Sequence, residues 1–414
     1  MIERLKTPMK RFAWMMVLFL LAACQSSSEP EVVPTLIDLN AIATNDAATA
    51  SAAAATADAN RPPTLPPTWT PMPEADVQTG ATPPPATPPG SAGSGMIFYV
   101  FNGDSIVRLL PDGSFEELIR VGGAPSDLSV SPDGSLLAYV AQGSGSAREV
   151  FVSSPDGSYT QQVSCLGFSR VVDPTWSFDG QTLAFAASQT PDGVLGIYVA
   201  DFAGSGQCPT GNNQRQIVQL EETRLYGLAW NPAKNILFFS AGAISAVNLA
   251  DGSLYPGLIP ATGFGPNLSP AHHPTADRLL YLKAQRDSRT GQIGGAVYEI
   301  NTAALDRPQE IRGIQVFARS LRWSSRGSYL LLATERDVWL QDERTGSSLA
   351  VVEGSNFYPQ PAISPDETFI AYVDGGQAGR TVPQVYIVGR DGRNPIQITT
   401  HQEGSITDLM WAAG

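Results

Sequence analysis

One pattern recurs six times between residues 126 and 373 of this chain. Each copy has an apolar strand that ends in Trp or a substitute, a polar turn, and a second apolar strand. The clearest copy is Trp176-Ser177-Phe178-Asp179-Gly180 before Leu183-Ala184-Phe185. A spacing of 40 to 50 residues is typical of a four-stranded propeller blade. The turns begin at residues 131, 177, 231, 273, 324 and 364, at intervals of 46, 54, 42, 51 and 40 residues.

Each copy continues with a third strand and a turn that contains glycine. Val150-Phe151-Val152 followed by Asp156-Gly157 is one example. Asp-Gly suits a tight hairpin, because glycine tolerates a positive φ. A composition of 39 Gly, 33 Pro and 16% charged residues also favours turn-rich β structure over a helical bundle.

The two ends of the repeat region are complementary half-repeats. Leu409-Met410-Trp411 reads as an innermost strand, and Met96-Ile97-Phe98-Tyr99-Val100 reads as the strand that should follow it. Joining them in one blade removes the open sheet edges that invite aggregation. The sequence therefore predicts an all-β fold, a seven-bladed β-propeller closed by its N- and C-terminal strands and preceded by a disordered stalk.

The repeated Trp-Ser-Pro-Asp-Gly type of run before Leu-Ala-Tyr or Leu-Ala-Phe resembles the TolB-type, WD-like propeller repeat. The resemblance covers residues 95–414 and implies the fold more than a function. Relatives of this type include periplasmic protein-interaction propellers, the propeller domains of peptidases, and some lyases. The chain departs from TolB itself, since no N-terminal α/β domain is evident before the repeats.

The N-terminus predicts export. Four cations precede an apolar run of ten residues, 12–21, which is too short to span a bilayer but suits a signal peptide. The run ends in Leu21-Ala22-Ala23-Cys24, which resembles a bacterial lipobox. The resemblance implies a signal peptide at 1–23 and lipidation of Cys24, so that acyl chains anchor the protein to a membrane. An ordinary cleavage site with an incidental cysteine is the alternative.

Residues 24–94 predict a disordered stalk rich in Ala, Thr and Pro. Residues 62–89 include 11 Pro, which favours an extended, semi-rigid polyproline spacer. The stalk holds the domain away from the membrane, either threading cell-wall polymer or acting as a passive tether. The expected location is extracytoplasmic, at the cell surface or in the periplasm.

Several kinds of chemistry are disfavoured. A net charge of −13 disfavours nucleic-acid binding, because phosphate contacts need clustered cations. No Gly-x-Ser-x-Gly elbow is present, and His272 and His273 should point to opposite faces of one strand. We therefore expect no catalytic residue, no metal and no cofactor. The repeated Trp residues and the turn aspartates are expected to be structural: Trp176, Trp230, Trp323, Trp411, Asp133, Asp179 and Asp366.

Three carboxylates are candidates for a site at the channel mouth. Asp127, Asp173 and Asp408 each lie three residues before the Trp position, in consecutive blades of the closed ring. They either form a site for a cation or an amine, or accept hydrogen bonds from the backbone of their loops. Arg319 and Arg322 lie on an innermost strand across the ring, so we expect an electrically polarised mouth.

Arginine-rich loops suggest an interaction rim. The loop assigned to 283–295 carries Lys283, Arg286 and Arg289, and the loop at 374–384 carries Arg380. Arginine is enriched at protein interfaces, so these loops are either a contact surface or ordinary variable loops.

A disulfide between Cys165 and Cys208 is left open. Both cysteines would lie outside the cytoplasm, where disulfides persist. Their predicted positions on opposite rims argue against the bond unless the 203–214 loop folds back.

These features predict a monomeric cell-envelope lipoprotein that is not an enzyme. Its propeller would act as a binding scaffold for a protein or an envelope polymer. The alternative is a propeller enzyme or sugar-binding protein that acts on carbohydrate at the channel mouth. A purely structural spacer is the third possibility.

Overall fold

The computed structural model describes residues 94–413 except 120, 122, 202–213, 287–292, 306–309 and 376–381. The expectations for the signal peptide, Cys24 and the stalk therefore lie outside the described residues. In the described part, 28 strands form seven four-stranded antiparallel sheets. The predicted seven-bladed propeller is confirmed.

Six blades are numbered in chain order, and the seventh, which joins both ends of the chain, is called the closing blade. Blade 1 contains β4 (Ser126–Val130), β5 (Leu137–Gln142), β6 (Arg148–Ser153) and β7 (Thr160–Gln162). Blade 2 contains β8 (Arg170–Trp176), β9 (Thr182–Ser188), β10 (Gly196–Asp201) and β11 (Gln214–Gln219). Blade 3 contains β12 (Leu228–Trp230), β13 (Ile236–Ser240), β14 (Ile244–Asn248) and β15 (Leu254–Ile259).

The remaining blades follow the same order from the innermost strand outwards. Blade 4 contains β16 (Asn267–His272), β17 (Arg278–Arg286), β18 (Ile293–Asn301) and β19 (Glu310–Ala318). Blade 5 contains β20 (Ser320–Trp323), β21 (Tyr329–Ala333), β22 (Val338–Asp342) and β23 (Ser348–Val352). Blade 6 contains β24 (Ala362–Ile363), β25 (Phe369–Gly375), β26 (Pro383–Gly389) and β27 (Ile396–Gln397). The closing blade contains β28 (Ile406–Ala412), β1 (Met96–Phe101), β2 (Ser105–Leu109) and β3 (Glu116–Ile119).

The ring has two rims, because the four strands of a blade, A to D from the inside, alternate in direction. The turns that join A to B and C to D lie on one rim, which we call the A–B rim. The connections from B to C, and from D to the next blade, lie on the other, the D–A rim. This assignment decides which loops can share a binding surface.

The closing blade joins the two ends of the described chain. β1 pairs antiparallel with β28, with Ile97 opposite Trp411 and Met96 opposite Ala412. The indole Nε1 of Trp411 donates a hydrogen bond to the carbonyl oxygen of Ser94 at 3.2 Å. The complementarity predicted from the two half-repeats is therefore confirmed.

The hydrophobic core is divided among the interfaces between blades. Among the described residues, buried side chains form seven clusters, and each cluster combines residues of two neighbouring blades. Trp176, Trp230 and Trp411 are buried in these clusters. Trp230 also donates from Nε1 to the carbonyl oxygen of Thr175 in blade 2, at 3.0 Å. The expected packing role of the repeated Trp is confirmed.

The A–B turns are held by their own side chains. In blade 1 the Ser131 hydroxyl donates to Asp133 Oδ1 at 2.6 Å and accepts the backbone N–H of Leu136 at 2.9 Å. The hydrogen bond from the Ser131 hydroxyl, followed by those from Ser135, favours the ionised carboxylate and lowers the pKa of Asp133. Asp179 and Asp366 accept equivalent bonds from Ser177 and Ser364, which confirms the predicted turn role.

Cys165 is disulfide-bonded. Whether the Cys165–Cys208 pair forms this bond stays a prediction. Cys208, the other candidate, lies outside the described residues. The segment around Cys165 is fixed by the buried Glu149, whose carboxylate accepts the Gly167 N–H at 2.6 Å and the Leu166 N–H at 3.2 Å.

We expect Trp411→Ala to destabilise the propeller by about 3 to 5 kcal/mol, because it leaves a cavity at the closing blade. Leu118→Ala is the matched control, since that side chain is 54% exposed on the outermost strand of the same blade. Urea denaturation followed by tryptophan fluorescence measures both variants. Equal transition midpoints for the two would contradict a closing role for Trp411.

Candidate functional site

The channel-mouth candidates occupy backbone bulges. Asp127, Asp173 and Asp408 have φ of 54°, 58° and 55°, in the left-handed region. The pairing of each innermost strand with its neighbour shifts register at this point. Such a shift is a β-bulge, which bends the strand and redirects a side chain. Ser269 occupies the equivalent bulge in blade 4, with φ of 48°. Gln360 also has a left-handed φ, 42°, but it precedes β24, which pairs with β25 without a register shift.

The bulge side chains reach the next blade. Asp408 Oδ2 accepts the backbone N–H of Asp127 at 3.1 Å. Asp173 accepts the backbone N–H of Leu228 in blade 3. Gln360 makes the corresponding contact with a donor, its Nε2 lying 3.0 Å from the carbonyl oxygen of Ile406. Asp173 and Asp408 thus accept hydrogen bonds from the backbone of the following blade, whereas Asp127 Oδ2 accepts a hydrogen bond from the Ser126 hydroxyl at 2.8 Å.

The acidic sector raises two pKa values. Burial in the channel wall, followed by repulsion from Asp127, raises the pKa of Asp173 to about 7. The same two causes, in the same order, raise the pKa of Asp408 to about 6, although the backbone N–H of Asp127 and the nearby Arg322 oppose the shift. Both groups therefore change charge near neutral pH, which is unusual for aspartate.

Arg322 lies within the channel. Its Nη1 is 3.0 Å from the sulfur of Met410 in the closing blade, two blades away in the ring. Its side chain is accessible to solvent inside the channel but surrounded by protein, and this burial lowers its pKa. Asp408 favours its charged form. The guanidinium of Arg322 and the three carboxylates thus line the same channel, and their role as a binding site stays a prediction.

Arg319 does not share this position. It precedes β20 rather than lying on it. Its Nη1 is 2.8 Å from Glu335 Oε2, and its guanidinium lies 5.8 Å from the ring centroid of Tyr358. The expectation that Arg319 lies on an innermost strand is therefore wrong.

The proposed interaction rim is only partly a loop. β17 continues to Arg286, and β18 begins at Ile293, so Lys283 lies inside a strand. Lys283 Nζ is 2.6 Å and 2.7 Å from the two carboxylate oxygens of Glu310 and lies over the ring of Tyr298. Its assignment to a loop is wrong, because the cross-strand pairs extend further than the apolar residues suggested.

Arg286 remains at the rim. It ends β17, pairs with Ile293, and its guanidinium lies 5.7 Å from the ring centroid of Phe264. Phe264 is 49% exposed on the D–A rim. The other two candidates, Arg289 and Arg380, lie outside the described residues.

The histidines do not converge. His272 takes the Trp position of blade 4 and contacts Asn231 of blade 3, whereas His273 faces Gly327 of blade 5. Burial lowers the pKa of His272 to about 4. The prediction that the two rings face opposite sides is confirmed. Among the described residues, no group of three or more His, Cys, Asp or Glu side chains could hold a metal ion.

The sequence predicted which carboxylates lie together but not the left-handed backbone conformation that they adopt. The residue types could have indicated this conformation, because the position three residues before Trp holds Asp, Gly, Ser or Gln in most blades. Asp and Gly tolerate the left-handed region better than β-branched residues do.

No family model matches the chain, and no curated protein matches it. Solved structures do match. A functionally unknown protein from Desulfotomaculum acetoxidans is 14% identical, with 76% of this chain and 99% of that chain covered at a TM-score of 0.53. An oligogalacturonate lyase in complex with manganese is 14% identical, with 69% and 82% covered at 0.51. TolB from Acinetobacter baumannii is 16% identical, with 74% and 78% covered at 0.47.

These likenesses show the fold alone. Two TolB proteins are among the solved structures that match, at TM-scores of 0.47 and 0.40. The described residues contain no helix with the length and apolarity needed to cross a bilayer.

The raised pKa of Asp173 predicts a distinctive pH dependence of stability. The pKa of Asp173 is higher in the folded state than in the unfolded state. Its contribution to the free energy of unfolding is therefore fully present below about pH 4 and is lost as the pH rises through 7. Asp173→Asn removes this loss. The variant should therefore gain about 1 to 3 kcal/mol of stability relative to wild type between pH 4 and pH 8.

Asp179→Asn is the matched control in the same blade. Its pKa is lowered, first by the Ser177 hydroxyl, so its contribution is present above the unfolded pKa and is lost as the pH falls. This variant should be less stable than wild type at pH 7, with the deficit shrinking towards pH 3. Urea denaturation at pH 3 to 8 measures both, and parallel profiles would contradict the assignment.

Proposed function

We propose that this chain is a cell-envelope lipoprotein whose propeller is a non-catalytic scaffold for binding a protein or an envelope polymer. The observation that carries the proposal is the grouping of charge in one closed channel. Asp127 and Asp408 lie on the half of their strands nearest the D–A rim, Asp173 lies at the middle of β8, and Arg322 extends across the channel to Met410. A closed ring holds such groups in fixed positions, which lowers the ordering cost of binding.

The described chain begins on the opposite rim. Ser94 is bonded to Trp411 at the end of β28, and its backbone N–H donates to Asp366 in the A–B turn of blade 6. Arg286 lies on the D–A rim, away from this end of the described chain.

The proposed location rests on two features. The Leu21-Ala22-Ala23-Cys24 run supports lipidation of Cys24 and attachment to the outer side of a membrane. The disulfide at Cys165 supports an oxidising compartment, since disulfides persist outside the cytoplasm. The protein would then be anchored through its lipid and monomeric.

A carbohydrate-active propeller is the second candidate. Raised carboxylate pKa values, as at Asp173 and Asp408, are common where acid–base chemistry occurs. A lyase with oligogalacturonate in its name has the same fold. A thermal shift with manganese or an acidic oligosaccharide that is abolished by Asp127→Asn with Asp173→Asn would favour this candidate over the scaffold.

We expect cross-linking mass spectrometry on native membranes to capture a partner through the D–A rim. Arg286→Glu with Arg289→Glu should abolish the cross-links, because it reverses the charge of Arg286 at this rim and that of Arg289, three residues further along the chain. Arg215→Glu is the matched control, since Arg215 is exposed on an outermost strand, β11. Thermal denaturation reports whether each variant keeps the fold.

The outcomes separate the candidates. A reproducible partner that is lost in the double variant and retained in the control supports the scaffold. Cross-links that are unaffected by the double variant place the partner elsewhere. An absence of protein cross-links, together with no thermal shift from glycans or metals, leaves the spacer as the better account.

A further inference from the structure

A pocket of about 470 Å³ opens on the A–B rim of blade 6. Apolar side chains of Phe369, Ile387 and Ile396 line it, together with the charged Arg390 and Arg393. We propose that this pocket binds an acidic peptide segment of a partner protein. One apolar side chain of the peptide would occupy the pocket, and flanking carboxylates would meet the two arginines. The site lies opposite the channel-mouth acids and goes beyond the function proposed above.

The turn beside the pocket keeps the backbone of the corresponding turns in other blades. Gly392 donates its N–H to the carbonyl oxygen of Gly389 at 2.8 Å. Gly157 and Gly113 donate in the same way, to Ser154 in blade 1 and to Leu110 in the closing blade. Residues can therefore be compared position by position among these three turns.

Two substitutions open the pocket. Gly389 stands where the other two turns have Leu110 and Ser154, and its φ is not in the left-handed region, so the backbone does not require glycine. Asn394 stands where they have aromatic rings, Phe115 and Tyr159. Blade 6 thus lacks the side chains that would occupy the space beside Ile387 and Ile396.

The two arginines are not required by the turn. Arg390 and Arg393 stand where blade 1 has Pro155 and Ser158. At residue 393 the turn uses the backbone N–H, which donates to Asp391 Oδ1 at 3.0 Å, just as the N–H of Ser158 donates to Asp156. Both guanidinium groups are therefore additions to a turn that folds without them.

Contacts with neighbouring residues fix the guanidinium of Arg390 in a position where it can bind a carboxylate. Its guanidinium lies 4.7 Å from the ring centroid of Tyr329, and its Nη1 donates to the carbonyl oxygen of Glu367 at 3.2 Å. A guanidinium has five N–H donors in a planar fork, so one such bond leaves donors for a bidentate carboxylate. Stacking on Tyr329 reduces the entropy lost on binding.

Arg393 supplies a second, more mobile cation. Its side chain is 81% exposed, and its Nε lies 3.9 Å from Asp391 Oδ2. An exposed pair at this distance is weak, so a ligand carboxylate can compete with Asp391. The net charge of −13 does not prevent this, because charges beyond about 8 Å are screened at physiological ionic strength.

The test uses the whole propeller and a blocked pentapeptide with one leucine flanked by two glutamates on each side. Isothermal titration calorimetry should give saturable binding, with a Kd of about 100 µM at low salt. Arg393→Ala and Arg390→Ala should each weaken binding about tenfold, by loss of a charge-assisted contact. Gly389→Leu should abolish it by placing a side chain beside the pocket. The added Cβ would lie 2.8 Å from Asp391 Oδ1, so the Asp391 carboxylate must shift to accept it.

Arg344→Ala is the matched control, because Arg344 lies in the corresponding turn of blade 5, away from the pocket. It should bind the peptide as wild type does. Thermal denaturation should show all four variants folded. The same peptide with glutamine in place of glutamate should not bind.

Absence of saturable binding to the wild type would overturn the proposal. Equal weakening by Arg344→Ala would also overturn it, because binding would then follow overall charge. Preferential binding of polygalacturonate over the peptide would assign the pocket to an anionic glycan instead. None of these outcomes affects the cross-linking test, which concerns the D–A rim.

Discussion

The pairing of β1 with β28 is the constraint on which the rest of the structure depends. A blade is apolar on both faces, so it is stable only between two neighbours. Two of the seven clusters, with blade 6 and with blade 1, include residues of the closing blade. Without this pairing, both clusters would lose a strand, and the innermost strands would not enclose a channel.

Ring closure also explains the backbone of the acidic sector. Innermost strands converge on the axis, and in β4, β8, β16 and β28 a bulge bends the strand there. Asp408 and Gln360 show that an acceptor or a donor can make this contact. The hydrogen bonds therefore do not require carboxylates at Asp127, Asp173 and Asp408 together. Grouping three of them costs repulsion, which a purely structural role does not need.

The blade order and the place of the acidic sector could be predicted because the repeat assigns each residue to a strand position within a blade. Asp127, Asp173 and Asp408 share the same strand position, and their blades are neighbours because the ring closes. The ends of β17 and β18 could not be predicted, because they depend on cross-strand pairs such as Arg286 with Ile293. The pocket in blade 6 could not be predicted, because it arises where blade 6 has smaller side chains than the corresponding turns of other blades.

Residues that depart from the repeat differ in whether other residues of the propeller provide partners for their side chains. His272 replaces a Trp, but Asn231 and Thr302 hydrogen-bond to its ring, so the substitution is satisfied internally. Arg393 replaces a serine, and its side chain extends towards solvent. A buried departure with internal partners is explained by packing. An exposed departure beside an open apolar surface has no such explanation, and this difference points to binding on the A–B rim of blade 6.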